Sequence, residues 1–447
     1  MKTNISRRTF LHSGAATTAF GLAALQTETS GAQITGANER IRLGFVGVAN
    51  RGGQLITAFT KHDDMEVAAL CDVDATTLDR VQKQFDGKPF AARDFRQLYE
   101  RKDLDGIVLA TPDHWHAIQT VEACKAGKDV YCEKPLSITV HEGRKMVEAA
   151  RKYKRIVQVG TNRRSTPHYR ELAKQGADNI VGFVTVGRSF RPSNMFPNGL
   201  GKAAPSEPPK DLDWDLWLGP RPDRAFQATI APYKFRWWDL YSSQMGNWGV
   251  HYLDVMRWLL GEEAPISVCA MGGRYVIDDD RTVPDTAEAI FEFKKGRLLS
   301  FAQYEACGNP CMATDERFRP LGEVELRGTN GTLFLNYSGG WSVFPEYGGQ
   351  FQQREARMEK KSGPGIPGVD TEKLHARNFL DCMKSRQTPH CDVEEGHRST
   401  TMSLLANISL AVRQRLDWDP KAEKFVGNDA ANQLLHYEYR APWKLEI

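Results

Sequence analysis

Gly47, Ala49 and Gly52 stand in the spacing Gly-x-Ala-x-x-Gly, inside Gly47-Val48-Ala49-Asn50-Arg51-Gly52 and directly after an apolar run. In this spacing the first glycine permits a tight turn, the small middle residue lets the backbone approach a pyrophosphate, and the last glycine lets a helix pack closely on the preceding strand. A helix opening at that point offers free N–H groups and a partial positive charge to phosphates. Ala49, in place of the usual middle glycine, crowds that approach by one methyl group. Asp72 follows twenty-five residues after Gly47, at the end of a second apolar run. A carboxylate there accepts from ribose hydroxyls and repels a 2′-phosphate. The other reading of Asp72 is a helix cap beside Asp74. Loop and acid together indicate a dinucleotide site for NAD in preference to NADP, with Gly47, Val48, Ala49, Asn50, Arg51, Gly52 and Asp72 as its contacts.

The elements needed to hold such a site are legible around it. From residue 41, short apolar runs at 41–48, 67–72, 106–111, 130–132 and 156–159 alternate with helix-period stretches at 53–62, 76–84, 95–101, 116–126 and 140–153. Near-continuous apolar strands separated by helices are the pattern of a parallel sheet covered on both faces. The fold class is therefore α/β, with a doubly wound Rossmann-type domain over residues 40–160. Thr111-Pro112-Asp113-His114-Trp115-His116 follows the 106–111 run and Glu133-Lys134-Pro135-Leu136 the 130–132 run. Ligands of open α/β sheets bind at the carboxyl ends of the strands, so both segments should face the cofactor. Beyond residue 160 the texture changes. A strand at 183–190, a Pro/Gly/Asn-rich loop at 192–209 and a Trp-rich stretch precede a helix at 248–260. Runs at 267–275, 287–293, 298–304, 324–327 and 332–337 read as a mostly antiparallel sheet, and helices at 374–384 and 398–415 close the chain. Residues 161–447 thus form an α+β domain for substrate binding and oligomerisation.

The Gly loop, Asp72, Thr111-Pro112-Asp113, Glu133-Lys134-Pro135 and a later His-bearing helix occur in an order that resembles the glucose–fructose oxidoreductase / inositol dehydrogenase / rhizopine-catabolism (Gfo/Idh/MocA) family. The resemblance covers nearly the whole chain after residue 40. It implies that Lys134 reaches the nicotinamide and the substrate oxygen, where its three donors and point charge stabilise developing negative charge. It implies that His251 takes the proton of the substrate hydroxyl during hydride transfer, a task suited to a neutral imidazole. Thr111, Pro112, Glu133, Gln158 and Thr161 are then expected near the cofactor. His116 either approaches the nicotinamide ribose or packs at a helix start. The family's sugar and inositol dehydrogenases carry an Asp four residues before the His, whereas this chain has Asn247. Four residues share a helix face, so Asn247 and His251 are expected to meet, but an amide holds no proton and does not raise a histidine pKa as a carboxylate does. Asp254 is expected to make a structural contact, with Arg257 as its candidate partner.

Composition bounds the rest. A net charge of +3 without a basic tail excludes a nucleic-acid partner on electrostatic grounds. After the N-terminus no apolar run reaches the ~20 residues of a membrane-spanning helix. Ser6-Arg7-Arg8-Thr9-Phe10-Leu11 before an Ala/Gly/Thr-rich stretch resembles a twin-arginine export signal, with cleavage near residues 30–32. The expected organisation is a signal segment at 1–32 and a linker at 33–39, a partner in the twin-arginine machinery, and a periplasmic or otherwise exported, homo-oligomeric protein of the exported branch of the family. Eight scattered cysteines, with only Cys307 and Cys311 close, give no zinc spacing, and no metal is expected. Arg163, Arg164, Arg191, Arg236 and His168 are read either as contacts to hydroxyls or carboxylates or as surface and ion-pair residues. Trp214, Trp217, Trp237, Trp238 and Trp248 are read mainly as core. Three functions fit: a sugar or polyol oxidoreductase, a redox-neutral NAD-dependent glycosidase or lyase, and a non-catalytic cofactor-binding regulator.

Overall fold

The structure is a computed structural model that describes residues 40–308, 323–336, 340–365 and 368–447. The signal and linker segments, Cys311 and the strand end at Tyr337 lie outside the described residues. Six strands, β1 (Ile41–Val46), β2 (Met65–Cys71), β3 (Phe90–Ala92), β4 (Gly106–Leu109), β5 (Asp129–Cys132) and β6 (Val157–Val159), form one parallel sheet in the order β3-β2-β1-β4-β5-β6. The chain reverses its winding between β1 and β4, the crevice at which doubly wound sheets bind nucleotides. Helices α1 (Asn50–Phe59), α2 (Ala75–Lys83), α3 (Arg96–Tyr99), α4 (His116–Lys125) and α5 (Val140–Lys152) connect the strands. Thr139 caps α5 and Glu142 returns the bond, a reciprocal cap written in the sequence as Thr-x-x-Glu. β3 is a short strand that the apolar runs do not reveal, and the helix expected at 95–101 shrinks to the single turn of α3.

After α6 (Pro167–Gln175) and α7 (Ala177–Val181), the second sheet has ten strands. These are β7 (Val184–Pro192), β8 (Ser267–Gly273), β9 (Thr286–Phe293), β10 (Arg297–Tyr304), β11 (Val324–Gly328), β12 (Gly331–Asn336), β13 (Gly340–Pro345), β14 (Lys361–Pro364), β15 (Leu416–Asp419) and β16 (Lys424–Phe425). Their order is β14-β13-β12-β11-β7-β10-β9-β8-β15-β16. β7 and β10 pair in parallel and the neighbouring pairs are antiparallel. One face packs against α9 (Val250–Leu259) and α11 (Val393–Val412), with Tyr252 stacked on Phe301 at 5.6 Å.

Two features depart from the sequence reading. The helix expected at 248–260 starts as a π turn, Met245–Gly249, before α9 begins. And α10 (Thr371–Ser385), from the segment assigned to the second domain, completes the core of the first: Phe379 meets Phe59 at 6.2 Å and Tyr131 at 5.9 Å. Burying an apolar ring of that size is worth ~1.5–3 kcal/mol, enough to fix α10 against the nucleotide-binding sheet. Between β7 and α9, residues 211–241 form a Trp-rich strap that includes α8 (Trp214–Leu218). Trp214, Trp217 and Trp238 are core in this strap, as expected, whereas Trp248 lines a cleft. No helix among the described residues is long and apolar enough to cross a membrane.

Candidate active site

The turn after β1 requires its glycines. Gly47 has a φ of +79°, and a Cβ there would lie 2.7 Å from the Ala110 carbonyl oxygen, while one on Gly52 would lie 1.8 Å from the Gly47 carbonyl oxygen. α1 begins from Ala49 with no side-chain cap, so the amides of its first turn are left to an anion. Val48 N and Asp74 N donate to the two Asp72 carboxylate oxygens, at 2.9 and 3.0 Å, which fixes Asp72 beside the loop. Burial pushes the Asp72 pKa upward. Asp74, not Asp72, caps α2 by accepting from Thr77 N at 2.7 Å, which removes the capping reading of Asp72. A cavity lined by Gly47, Ala49, Asn50, Arg51, Asp72, Thr111 and Pro112 is closed from outside by Leu212, Leu216 and Trp217 of the strap. Val48 and Gly52 shape this loop without lining the cavity. The strap is pinned by Asp213 N to Val73 O (3.0 Å), Ala75 N to Asp211 O (2.9 Å) and Trp115 Nε1 to Trp217 O (3.1 Å). A loop that only glycine can form, free helix-start amides and a carboxylate beside them fit a dinucleotide. The expected outcome is tighter binding of NAD(H) than NADP(H), with the gap narrowed in Asp72→Asn. Titration by nicotinamide fluorescence checks it, and tighter NADP(H) binding by the unaltered protein contradicts the role of Asp72.

Asn50, Arg51, Thr111, Tyr233 and Arg236 line both this cavity and a second one that holds His116, Glu133, Lys134, Asn247 and His251. Lys134 Nζ donates to the Asn247 backbone oxygen at 2.9 Å and to its Oδ1 at 3.0 Å. Burial lowers the Lys134 pKa to about 8. With an amide rather than a carboxylate as its partner, the ammonium has no direct ion pair among the described residues, which is the chemical consequence of Asn247. His251 is buried, and its Nδ1 has no partner among the described residues. Burial, with Arg163, Lys134 and Arg51 adding to it, holds His251 well below the ordinary histidine pKa, so the ring is neutral. The expected meeting of Asn247 with His251 is not observed. Asn247 lies in the π turn, where the i,i+4 stacking of an α-helix does not apply, and its side chain points to Lys134 and, through Nδ2, to Gln244 Oε1 at 3.3 Å.

Glu133 is buried and accepts from Arg51 Nε at 2.8 Å, and Arg51 also pairs with Glu372 of α10 at 2.8 Å. Burial opposes the Arg51 charge, but Glu133 and Glu372 outweigh it and raise its pKa. His116 faces two carbonyl oxygens, Pro135 O from Nδ1 at 2.8 Å and Thr111 O from Nε2 at 3.1 Å. Burial disfavours its charge, yet the Cys132 sulfur, Asp113 and the Pro135 carbonyl push it up to about 10. His116 therefore holds the Thr111 and Pro135 backbones together at the cleft wall.

Gln158 and Thr161 are not at the cleft. Gln158 is fully buried and donates to His375 O at 2.8 Å, and Thr161 Oγ1 donates to Cys391 Sγ at 2.7 Å. β6 is an edge covered by C-terminal segments, so these side chains pack against them. Asp254 pairs with Arg164 at 2.9 Å rather than with Arg257, whose partner is Glu395 at 2.5 Å. Both arginines are structural. His375 and His397 are buried in contacts to the Val159 carbonyl and Glu423, as expected of structural histidines. Asn162, Arg163, Arg191, Trp248, Glu323 and Glu372 also line the second cavity. Glu372 and Asn162 carried no sequence signal, since the nearest motif residue to Glu372 in space, Arg51, is 321 positions away. Among the described residues no group of His, Cys, Asp and Glu could hold a metal.

A six-stranded doubly wound sheet with a glycine-specific phosphate loop, facing a Lys/His cleft, defines a dinucleotide-dependent oxidoreductase architecture. Family models match residues 41–161 ("Oxidoreductase family, NAD-binding Rossmann fold"), 217–334 ("GFO/IDH/MocA C-terminal domain") and 363–445 ("Oxidoreductase family, C-terminal alpha/beta domain"). The chain belongs to the Gfo/Idh/MocA oxidoreductase family, and its cofactor is NAD. The rhizopine catabolism protein MocA of Rhizobium meliloti is 26% identical over 275 residues, covering 61% of this chain and 74% of that protein. A glycosyl hydrolase family 109 protein of Shewanella sp. (strain ANA-3) is 33% identical over 120 residues, 25% of this chain and 26% of that protein. The chain spans between 26% and 37% of the length of such family 109 relatives. A levoglucosan dehydrogenase solved with NADH and levoglucosan shares the fold at a TM-score of 0.64 and 18% identity, over 85% of this chain and 99% of that one.

Proposed function

We propose that the protein oxidises a hydroxyl-bearing carbon of a sugar or polyol, with Lys134 and His251 as the catalytic pair. The observation that supports this reading is that the cavity holding Lys134, Asn247 and His251 shares Asn50, Arg51 and Thr111 with the cavity of the Gly47–Gly52 loop. Bound NAD supplies a hydride acceptor, which in a redox-neutral cycle also gives the hydride back. The neutral His251 ring accepts the hydroxyl proton. Lys134, fixed by its two bonds to Asn247, donates to the same oxygen and stabilises its negative charge as the proton leaves. Asn247 positions the ammonium without neutralising it. Trp248 and Tyr233 give this cleft aromatic surfaces beside the catalytic pair.

The family 109 relatives favour a second reading, a redox-neutral glycosidase or lyase on the same residues. Product analysis separates the two. Net NADH formation from a free sugar supports oxidation, whereas release of an aglycone from a glycoside without net NADH supports the redox-neutral cycle. Neither product from any sugar or glycoside, with NAD bound, leaves a cofactor-binding regulator. The paired arginines near the N-terminus support export through the twin-arginine route in a folded, NAD-loaded form. Met271, 77% exposed, with Ile290 and Leu298 also exposed on the second sheet, supports a homo-oligomer built on that face.

A further inference from the structure

The carboxylates of the substrate cavity are already engaged. Glu133 and Glu372 pair with Arg51, Glu323 pairs with Arg163 at 2.9 Å, and the buried Asp113 accepts from Ser242. Two guanidinium groups on the same walls have no carboxylate within ion-pair distance among the described residues. Arg236 stacks on Tyr233 and Phe235 at 4.4 Å and lines both cavities, so it does not belong to the substrate cavity alone. Arg191, at the end of β7, lines the substrate cavity alone. Its guanidinium carbon lies 3.9 Å from the centre of the Trp248 ring, its side chain also hydrogen-bonds Tyr252, and its Nε is buried without a partner among the described residues. Trp248 in turn lies 6.3 Å, ring to ring, from His251.

A guanidinium held flat against an indole keeps its donor edge directed along the ring plane, and its fork matches a planar or tetrahedral oxyanion with two parallel bonds. A guanidinium on a cavity wall with no carboxylate partner among the described residues leaves donors for a ligand oxyanion. We infer that the sugar bears an oxyanion, a carboxylate or a sulfate ester, gripped by Arg191 on Trp248 beside His251. This inference rests on the sugar-oxidation reading for the sugar, and on Arg191 for the charge.

The test uses the full chain saturated with NAD and follows tryptophan fluorescence, which Trp248 reports, with calorimetry as the second measurement. The probes are D-glucuronate, D-galacturonate and D-glucose 6-sulfate against D-glucose and D-galactose. At least one anionic probe is expected to bind about tenfold or more tightly than its neutral parent, the size of one charge-assisted pair. The preference should weaken with added salt, vanish in Arg191→Ala and survive in part in Arg191→Lys. Preference for both uronates assigns a carboxylate, and preference for the sulfate alone assigns a sulfate ester. Equal or tighter binding of the neutral parents, an anion preference unchanged by Arg191→Ala, or no binding of any probe overturns the inference. NADH formed from neutral sugars without anion preference sinks this inference and leaves the oxidation reading intact. Arg191-dependent anion binding with no net NADH from any sugar does the reverse.

Discussion

Lys134→Ala and His251→Ala are each expected to lower turnover by roughly a hundredfold or more, the scale of one lost proton-transfer or oxyanion-stabilising group. The argument is geometric. Lys134 is tethered to Asn247 by two bonds, and His251 carries an unpartnered ring nitrogen in the same cavity. Neither side chain belongs to a hydrophobic core, so thermal unfolding of both variants should stay close to that of the parent. The pH profile adds a second readout. Burial holds Lys134 at about 8, so the ammonium is lost and turnover falls as pH rises through that value. His251 is depressed well below 6.5 and stays neutral on the acid side, so no fall is expected as pH drops from 8 towards 6.5. Asn247→Asp places a carboxylate against the ammonium and should move the alkaline fall to higher pH. A profile unchanged in Asn247→Asp would detach the limb from Lys134, and undiminished turnover in His251→Ala would remove His251 from the chemistry.

The protein purified without added cofactor is expected to carry near-stoichiometric NAD(H). The strap lays Leu212, Leu216 and Trp217 over the cavity of the Gly47–Gly52 loop and is tied to the β2–α2 turn by Asp211 and Asp213. Release then requires the strap to lift and several hydrogen bonds to open together, which slows dissociation. Denaturing the protein and assaying the supernatant for NAD⁺ and NADH measures occupancy. Dilution of the loaded protein measures the release rate. Asp211→Ala, which removes the bond from Thr76 Oγ1 at 2.7 Å, should accelerate release several-fold. An almost empty supernatant together with micromolar or weaker affinity for added NAD would show a freely exchanging cofactor and remove retention from the proposed cycle.

What the sequence reveals follows from the range over which each feature is determined. The Gly47–Gly52 turn and Asp72 are specified by residues adjacent in the chain, and a positive φ or a carbonyl at 1.8 Å admits only glycine wherever the rest of the fold lies. The alternation of apolar strands and amphipathic helices likewise reports both sheets. The π turn was missed because a helical period counted back from Leu259 runs smoothly through Trp248, and only the paired Gly246 and Gly249 hint at a break. Gln158 was misplaced because an apolar strand end shows that a side chain is buried but not which element covers it. Here α10 does, from more than two hundred residues later. A separation of 321 residues hides Glu372 beneath Arg51, and one of 90 hides Arg164 beneath Asp254.

The placement of α10 also sets an order on the making of the molecule. Phe379 and Leu380 fill the core under Phe59 and Tyr131, Cys391 and Val393 fill the opposite side of the same sheet, and Glu372 holds the phosphate-loop arginine. A nascent chain ending before Thr371 has every motif of the nucleotide domain and lacks one wall of it. The domain nearest the N-terminus therefore completes its core only once α10 has been made, late in the chain. A translation product interrupted before Thr371 is left without the Phe379 wall of that core and without the Glu372 partner of Arg51.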